Sequence, residues 1–302
     1  MNTYPIPLLL VCLLLAAPGQ AADFRAGQVE GLFDLTLAYG LGVRLDDVDK
    51  DLVAIANGGE AKNANKDDGN LNYKDGIISN AVRLNADLTL AWQNLGAYVR
   101  GFAYYDYENE HEDRDRTPLS SDAKDILGKD ADFLDYYLSA SFSAGNIPLF
   151  FRLGDQVVNW GDSNFVRNGI DVINPFDLAA LNQPAVPVRD LRIPQGMLWG
   201  AANVTENIAF EGYYQYEWEP ARLPPVGSYF STNDLIGGDG VNFSMLGAGG
   251  FSDLGTNLDS AFGLPPGTLG FDRDFFRIPG AGTRDASDQG QFGLSVSLIP
   301  ED

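Results

Sequence analysis

The sequence predicts an all-β fold, an antiparallel transmembrane β-barrel of the outer-membrane type with about eight strands visible in 302 residues. Three observations carry this. Apolar residues recur with a period of two over stretches longer than the strands of ordinary globular sheets, and a helix would scatter them around its circumference. Short turns and long polar loops alternate strictly, as they do in outer-membrane barrels. No run after residue 22 approaches the roughly 18 apolar residues a membrane helix requires, whereas tilted strands of this length cross an apolar band of about 25 Å.

Residues 1–21 read as a cleaved signal peptide. Residues 8–17 (LLLVCLLLAA) are continuously apolar, and the small residues Gly19 and Ala21 occupy the −3 and −1 positions of a cleavage site. The preceding segment carries no Lys or Arg. Cys12 lies in the apolar run behind Val11, which is too bulky for a lipoprotein signal. Cleavage after Ala21 leaves a chain without cysteine, hence without disulfides, thiol nucleophile or Cys-bound zinc. Residues 22–302 are then read as barrel.

The first expected strand covers 31–43, with Phe33, Leu35, Leu37, Tyr39, Leu41 and Val43 on one face and Asp34, Thr36 and Ala38 on the other. The second, 81–92, sets Val82, Leu84, Leu88, Leu90 and Trp92 against Arg83, Asn85, Asp87 and Thr89. Gln93-Asn94 turns it into the third, 95–107, where Val99, Tyr105 and Tyr107 oppose Tyr98, Arg100 and Asp106. In the fourth, 133–142, Leu134, Tyr136, Leu138 and Phe142 face away from Asp135, Ser139 and Ser141. Gly145-Asn146 leads to the fifth, 148–157, with Arg152 opposite Phe151 and Leu153. A weaker sixth, 195–204, turns at 205–207 into the seventh, 208–218, where Ile208, Phe210, Tyr214, Tyr216 and Trp218 face away from Glu211, Gln215 and Glu217. The eighth is 291–299. Long loops fall near 45–80, 108–131, 158–194 and 219–290. Trp92, Tyr105, Tyr107 and Trp218 lie towards strand ends, where interfacial aromatic girdles belong. A secreted soluble β-sandwich or β-helix shares the period but explains the strand lengths and loop asymmetry poorly.

Forty-two acidic against 20 basic side chains give a net charge of −22, which excludes a nucleic-acid binder, since phosphate binding needs surplus Lys and Arg. Catalytic sets are scarce. The lone His111 sits in the charged run ENEHEDRDR. Residues 47–51 read Asp-x-Asp-x-Asp, but Leu52 and Gly58 occupy the Gly and Glu positions of an EF-hand, leaving at most looser cation binding. Glu217 and Glu219 could serve a glycosidase at a spacing of about 7 Å, yet neighbouring carboxylates are ordinary in a barrel wall. GGDG (237–240) and GAGG (247–250) do not open helices and are not phosphate loops. No enzymatic activity, cofactor or metal is expected.

Under the barrel reading the inward faces carry Asp34, Arg83, Asp87, Arg100, Asp106, Asp135, Arg152, Glu211, Gln215 and Glu217, a pore lining of opposed charges.

QVVNWGDSNF, GIDVINPFDLA, the blocks YYQYEWEP and SYFSTND, and DQGQFG together resemble a proteobacterial family, domain of unknown function 1302. The resemblance spans about residues 25 to 300 and implies an outer-membrane β-barrel. Members of that family are about twice this length, and the chain ends at IPED without the terminal aromatic residue common in barrels. A narrow eight-strand barrel and the N-terminal half of a larger one both stay open. Residues 158–194 are partly apolar (Val172, Ile173, Phe176, Leu178, Leu181). They are expected to fold inward as a constriction in which Asn159, Trp160, Asn164, Asn174 and Asp177 bond wall residues such as Arg152 and Arg100. Gly154 and Gly161 would allow close approach and Pro175 would hold Asn174 extended; a structured cap outside the pore is the other option. The expectation is thus a channel- or transporter-like barrel in the outer membrane of a Gram-negative bacterium, passing or binding an unidentified small solute, amphipathic or hydrophobic compounds included. Its partners would be outer-membrane lipid, lipopolysaccharide and the barrel-assembly machinery. The alternatives are a secreted β-rich binding protein or adhesin and, more weakly, a secreted carbohydrate-active enzyme.

Overall fold

The computed structural model of the chain describes residues 13–16, 20–161, 172–247, 249–254, 258–270 and 276–298. Its framework is one antiparallel sheet, and all eight expected strands form. Two short N-terminal strands, β1 (Leu13–Ala16) and β2 (Gln20–Ala26), lie along one edge of β3 (Val29–Arg44). Then follow β4 (Gly76–Trp92), β5 (Leu95–Asp106), β6 (Lys129–Ala144), β7 (Ile147–Gln156), β8 (Gln195–Thr205) and β9 (Ile208–Gln215). Four short strands, β10 (Ile236–Gly237), β11 (Gly240–Val241), β12 (Phe243–Met245) and β13 (Arg277–Pro279), pair two by two within the last long loop. β14 (Gln291–Leu298) returns to β9. The sheet order is β1-β3-β4-β5-β6-β7-β8-β9-β14, with β2 also on β3. Among the described residues β14 and the β1/β2 edge do not pair with each other, so the sheet is open.

Two-residue turns at 27–28, 93–94, 145–146 and 206–207 join strands at one end. Gly27 and Gly145 adopt positive φ there, which spares the Cβ strain of the left-handed region. At the other end residues 45–75, 107–128, 157–194 and 216–290 form long connections with short helices, α1 (Asp68–Leu71), α2 (Tyr107–His111), α3 (Ser121–Leu127) and α4 (Leu258–Ala261). Among the described residues no helix is long and apolar enough to cross a membrane.

The two faces of the sheet differ in kind. One is covered by long-loop residues and carries buried charge, with Arg83, Asn85, Arg100 and Gln156 almost inaccessible. The other is bare and apolar. Phe33, Leu35 and Leu37 of β3, Leu138 and Phe142 of β6 and Leu294 of β14 are exposed, Leu138 at 64% and Leu294 at 82%. Three hydrophobic clusters of buried residues occur among the described residues. Two lie in the long loops, and the third joins Val158 and Ile173 to Met197 of β8.

Two strand assignments need correction. Val99 pairs with Tyr136 and Gly101 with Phe133, so β6 carries a bulge at 134–135. The extra residue turns Leu134 to the covered face, where it lines a hollow with Arg100 and Asp135, and leaves Phe133 exposed on the bare face. The seventh strand ends at Gln215, because the amides of Tyr216 and Glu217 both donate to the Gly196 carbonyl and break the ladder. Glu217 therefore lies beyond the strand rather than on its covered face.

Candidate functional site

The covered face owes its character to residues 157–161 and 172–194, a strap that leaves β7, crosses the sheet and returns to β8. Asn174, 1% exposed, ties its two legs together. The Asn174 Oδ1 accepts the Val158 amide at 2.9 Å, and its Nδ2 donates to the carbonyls of Gln156 and Ile193, both at 3.0 Å. One amide side chain satisfies three buried main-chain groups, each worth roughly 1 kcal/mol net. Asn174→Ala is expected to cost about 2–3 kcal/mol and to speed proteolysis within 157–194, measured by limited trypsin digestion of the folded chain.

Beyond this knot the strap reaches deep. Asp190 is held in a short 3₁₀ turn, Val188–Leu191, with its side chain 2% exposed between two arginines. Arg83 lies 3.0 Å from its Oδ2 and Arg100 2.6 Å from its Oδ1. Arg100 also pairs with Asp87 at 2.9 Å, and Arg189 reaches the other Asp87 oxygen at 3.0 Å. Tyr98 donates to Asp87, and the Arg83 guanidinium stacks 3.9 Å from the Phe102 ring. Two aspartates and three arginines thus form one network in which the buried charges are mutually compensated. Asp87 lies eleven residues from the loop end of β4 at Gly76 and five from its turn end at Trp92. The strap therefore contacts the sheet past the midpoint of the strand. Its far side abuts β3, where a Cβ on Gly40 would stand 2.4 Å from the Pro184 Cβ, so glycine there is a condition of the crossing.

At its root, Trp160 Nε1 donates to Glu211 at 3.0 Å, and the indole packs on Tyr213 at 5.3 Å. Asp177 caps the Ala180 amide at 2.8 Å and lies 3.4 Å from Arg222, which also holds Asp130 at 3.0 Å. Between the strap and the loop end of β6 lies a cavity of about 260 Å³, lined by Asp130, Asp132, Asp155, Asp190, Glu217 and Glu219 among others. Burial, and next the charge of Asp155, raises the Glu217 carboxyl. A wider hollow of about 510 Å³ lies at the turn end, bounded by Thr89, Tyr137, Ser139, Phe150, Arg152 and Trp199.

The expected site residues are distributed as follows. Asp34, Arg83, Asp87, Arg100, Asp135, Arg152, Glu211 and Gln215 all lie on the covered face. Asp34 accepts from Thr36. Gln215 bonds Gln195, and Asp135 accepts the Val157 amide at 3.0 Å. Asp106 has another role. It is inaccessible and caps α2 through the amides of Glu108 and Asn109, with Ser79 and the Asn80 amide as further donors.

The bonding pattern within the strap also departs from expectation. Arg100 is held by Asp190, and Arg152 stacks 4.1 Å from the Trp199 ring. Asn174 and Asp177 bond main chain and Arg222 rather than those arginines. Asn159 accepts only the Gly161 amide at 2.8 Å among the described contacts, with Gly161 at φ +128°. Pro175 lends its carbonyl to the Ile193 amide at 2.9 Å, while Gly154 at φ +137° has no room for a Cβ beside the Tyr136 carbonyl. Asn164 lies outside the described residues. Ile173 is buried as expected, yet Val172, Phe176 and Leu181 remain exposed.

Asp190 and Arg189 were not singled out by sequence reasoning. Their signal was present in VPVRDLRIP, a charged triplet interleaved with apolar residues between Pro187 and Pro194.

At the loop end, residues 57–68, 116–117, 234 and 253 bring four aspartates together, Asp67, Asp68, Asp234 and Asp253. Burial, with the charges of Asp68 and Asp67, pushes the Asp234 carboxyl up to about 7.

The fold and site define a class: an all-β protein built on an antiparallel meander with one bare apolar face and one charged face closed by a strap. The chain belongs to a family described as protein of unknown function (DUF1302), whose model matches residues 6–302. No curated protein and no solved structure matches it.

Proposed function

We propose that this chain forms an outer-membrane β-barrel that passes or binds a small solute through a lumen narrowed by the 172–194 strap. The observation that carries this is the inside-out distribution of polarity. Contiguous apolar side chains such as Leu37, Leu138, Phe142, Leu198, Phe210 and Leu294 stand exposed across the whole sheet, whereas Arg83 and Arg100 are buried. Patches of more than a few hundred Å² are rare on soluble monomers and mark contact with protein or membrane. Lipid is the solvent that makes such a face stable and confines charge to the opposite one. In lipid an open sheet edge leaves main-chain groups unsatisfied at several kcal/mol each, so the free edges at β14 and at β3 with residues 22–26 of β2 close, on each other or on further strands.

Export is proposed to follow from the signal peptide, and cleavage after Ala21 would remove β1 and the first two residues of β2 from the β3 edge, leaving residues 22–26 there. The long loops then face outward, towards lipopolysaccharide, and the short turns face the periplasm. The acidic cavity beside the strap favours cationic and neutral solutes over anions.

The experiment is reconstitution. The purified chain should require detergent, migrate faster on SDS gels before boiling than after, and give a small ohmic conductance in planar bilayers. A monodisperse, folded protein in detergent-free buffer would exclude the barrel.

A further inference from the structure

The aspartates gathered at the loop end carry an inference of their own. It rests on the loops alone and is independent of whether the sheet spans a membrane. Asp67 is fully buried, and Asp68, Asp234 and Asp253 are each at least 95% buried. One carboxylate oxygen from each lies within 4.8 Å of the others. They come from distant places, the first long connection and the last, and meet around Arg116 and Asn57.

Most of their oxygens have defined partners. Asp68 is fully engaged, by Arg116 Nε at 3.1 Å and the Thr117 hydroxyl at 2.8 Å. Asp67 Oδ2 accepts the Ala54 amide and Asn57 Nδ2, both at 2.8 Å. Asp234 Oδ2 accepts the Asp67 amide at 3.0 Å, and Asp253 Oδ1 meets Arg116 and Asn57 Nδ2. Arg277 donates to the Asp253 main-chain carbonyl.

Four oxygens are left over. Asp67 Oδ1, Asp234 Oδ1, Asp253 Oδ2 and Asn57 Oδ1 are buried without a hydrogen-bond partner. A buried, unsatisfied polar atom costs roughly 1–3 kcal/mol, more when it is charged. Three of the four are carboxylate oxygens of the gathered aspartates, and the fourth belongs to Asn57, whose Nδ2 bonds two of those aspartates, so together they offer an all-oxygen donor set. The same residues already donate and accept in a pattern that fixes their orientation, so the free oxygens are held and cannot turn to solvent.

We infer that Asp67, Asp234, Asp253 and Asn57 form a binding site for a calcium-class divalent cation that staples the first long loop to the last. The donor set is oxygen only, which selects hard cations over zinc or copper. Calcium takes six to eight oxygens at about 2.3–2.6 Å, so ligands across the ion stand about 4.6–5.2 Å apart, and the four aspartates, Asp68 included, each bring one oxygen within 4.8 Å of the others. Magnesium demands a tighter octahedron at about 2.0–2.1 Å and surrenders its water reluctantly, so it fits this enclosed set less well. Asp68 stays outside the set as the partner that holds Arg116 in place. The acidic run 47–51 is not part of it. Asp49 there caps a 3₁₀ turn at the surface by accepting the Asp51 amide at 3.0 Å.

Calorimetric titration of the full chain, stripped with EGTA and held in about 150 mM KCl, tests the site with calcium chloride as the probe. We expect one saturable site per chain with a Kd of about 10⁻⁴ M or tighter, at least about tenfold stronger than for magnesium. Calcium should also slow proteolysis of residues 45–75 and 216–290 in the unsubstituted chain. Asp234→Asn and Asp67→Asn should each weaken binding at least tenfold while retaining the strand signal in circular dichroism. The double substitution Asp47→Asn, Asp51→Asn should leave binding unchanged. The inference is overturned if the unsubstituted chain shows no saturable calcium binding up to about 10 mM, a range well above extracellular calcium sites. It is equally overturned if magnesium binds as tightly, or if the surface pair Asp47 and Asp51 accounts for the binding.

Discussion

Asp190→Ala is expected to release the strap. The substitution leaves Arg83 and Arg100 buried without their shared carboxylate, and breaking a buried pair in this way costs about 3–5 kcal/mol. Asp87 still neutralises Arg100, which places the effect in that range rather than above it. The strap then keeps Asn174, Val157 and Trp160 at its base, and in its far part the mostly exposed side chain of Arg189 on Asp87. Trypsin should cut at Arg189 and Arg192 many times faster than in the parent. In bilayers the single-channel conductance should rise severalfold. Because the pairs are buried, both differences should persist at about 1 M salt, where exposed pairs are screened. Unchanged digestion and unchanged current would show that the strap does not close the lumen and that Asp190 is ornamental to it.

The second large effect concerns the bare face. Leu138→Arg is expected to cost about 2–4 kcal/mol when folding is measured in lipid bilayers, the depth-dependent penalty for a guanidinium at the bilayer midplane. Leu138 sits near the centre of β6 and is 64% exposed, so in water the same change would cost almost nothing. Ser141→Arg, three residues on and on the opposite face, should be tolerated within about 1 kcal/mol in lipid. Urea titrations of both variants in vesicles give the comparison. Equal tolerance of the two would mean that lipid does not touch this face, and the barrel proposal would fail with it.

Much of the framework was legible in the sequence. Phe33, Leu35 and Leu37 against Asp34 and Thr36, or Val82 and Leu84 against Arg83 and Asn85, fall on opposite faces of an extended chain whatever it pairs with. The two-residue turns were legible for the same reason, being local. What failed was whatever depended on a neighbour. Leu134 was placed with Tyr136 by strict alternation, but the bulge opposite Arg100 inserts a residue that only the pairing with β5 reveals. Asp106 was indistinguishable from a lumen carboxylate until the following segment turned helical and used it as a cap.

The candidate site was half legible. The mixture of apolar and hydrogen-bonding side chains in 158–194 left both an inward fold and an outer cap open, and the described parts, 157–161 and 172–194, lie against the charged face. Which of them would meet Arg100 was not legible, since nothing local to Asn174 or Asp177 marks them as binding each other's main chain rather than an arginine.

By itself, then, the sequence determined the alternation of faces, the places of the short turns and the asymmetry of the connections, because each is set by backbone geometry within a few residues. Only the tertiary structure decided that Asp190 would lie between Arg83 and Arg100, or that Asp67 would meet Asp234 and Asp253. Those encounters span from 90 to 186 residues of chain, and they are fixed by the cost of leaving a buried charge without a partner, a quantity that exists only once the loops have closed over it.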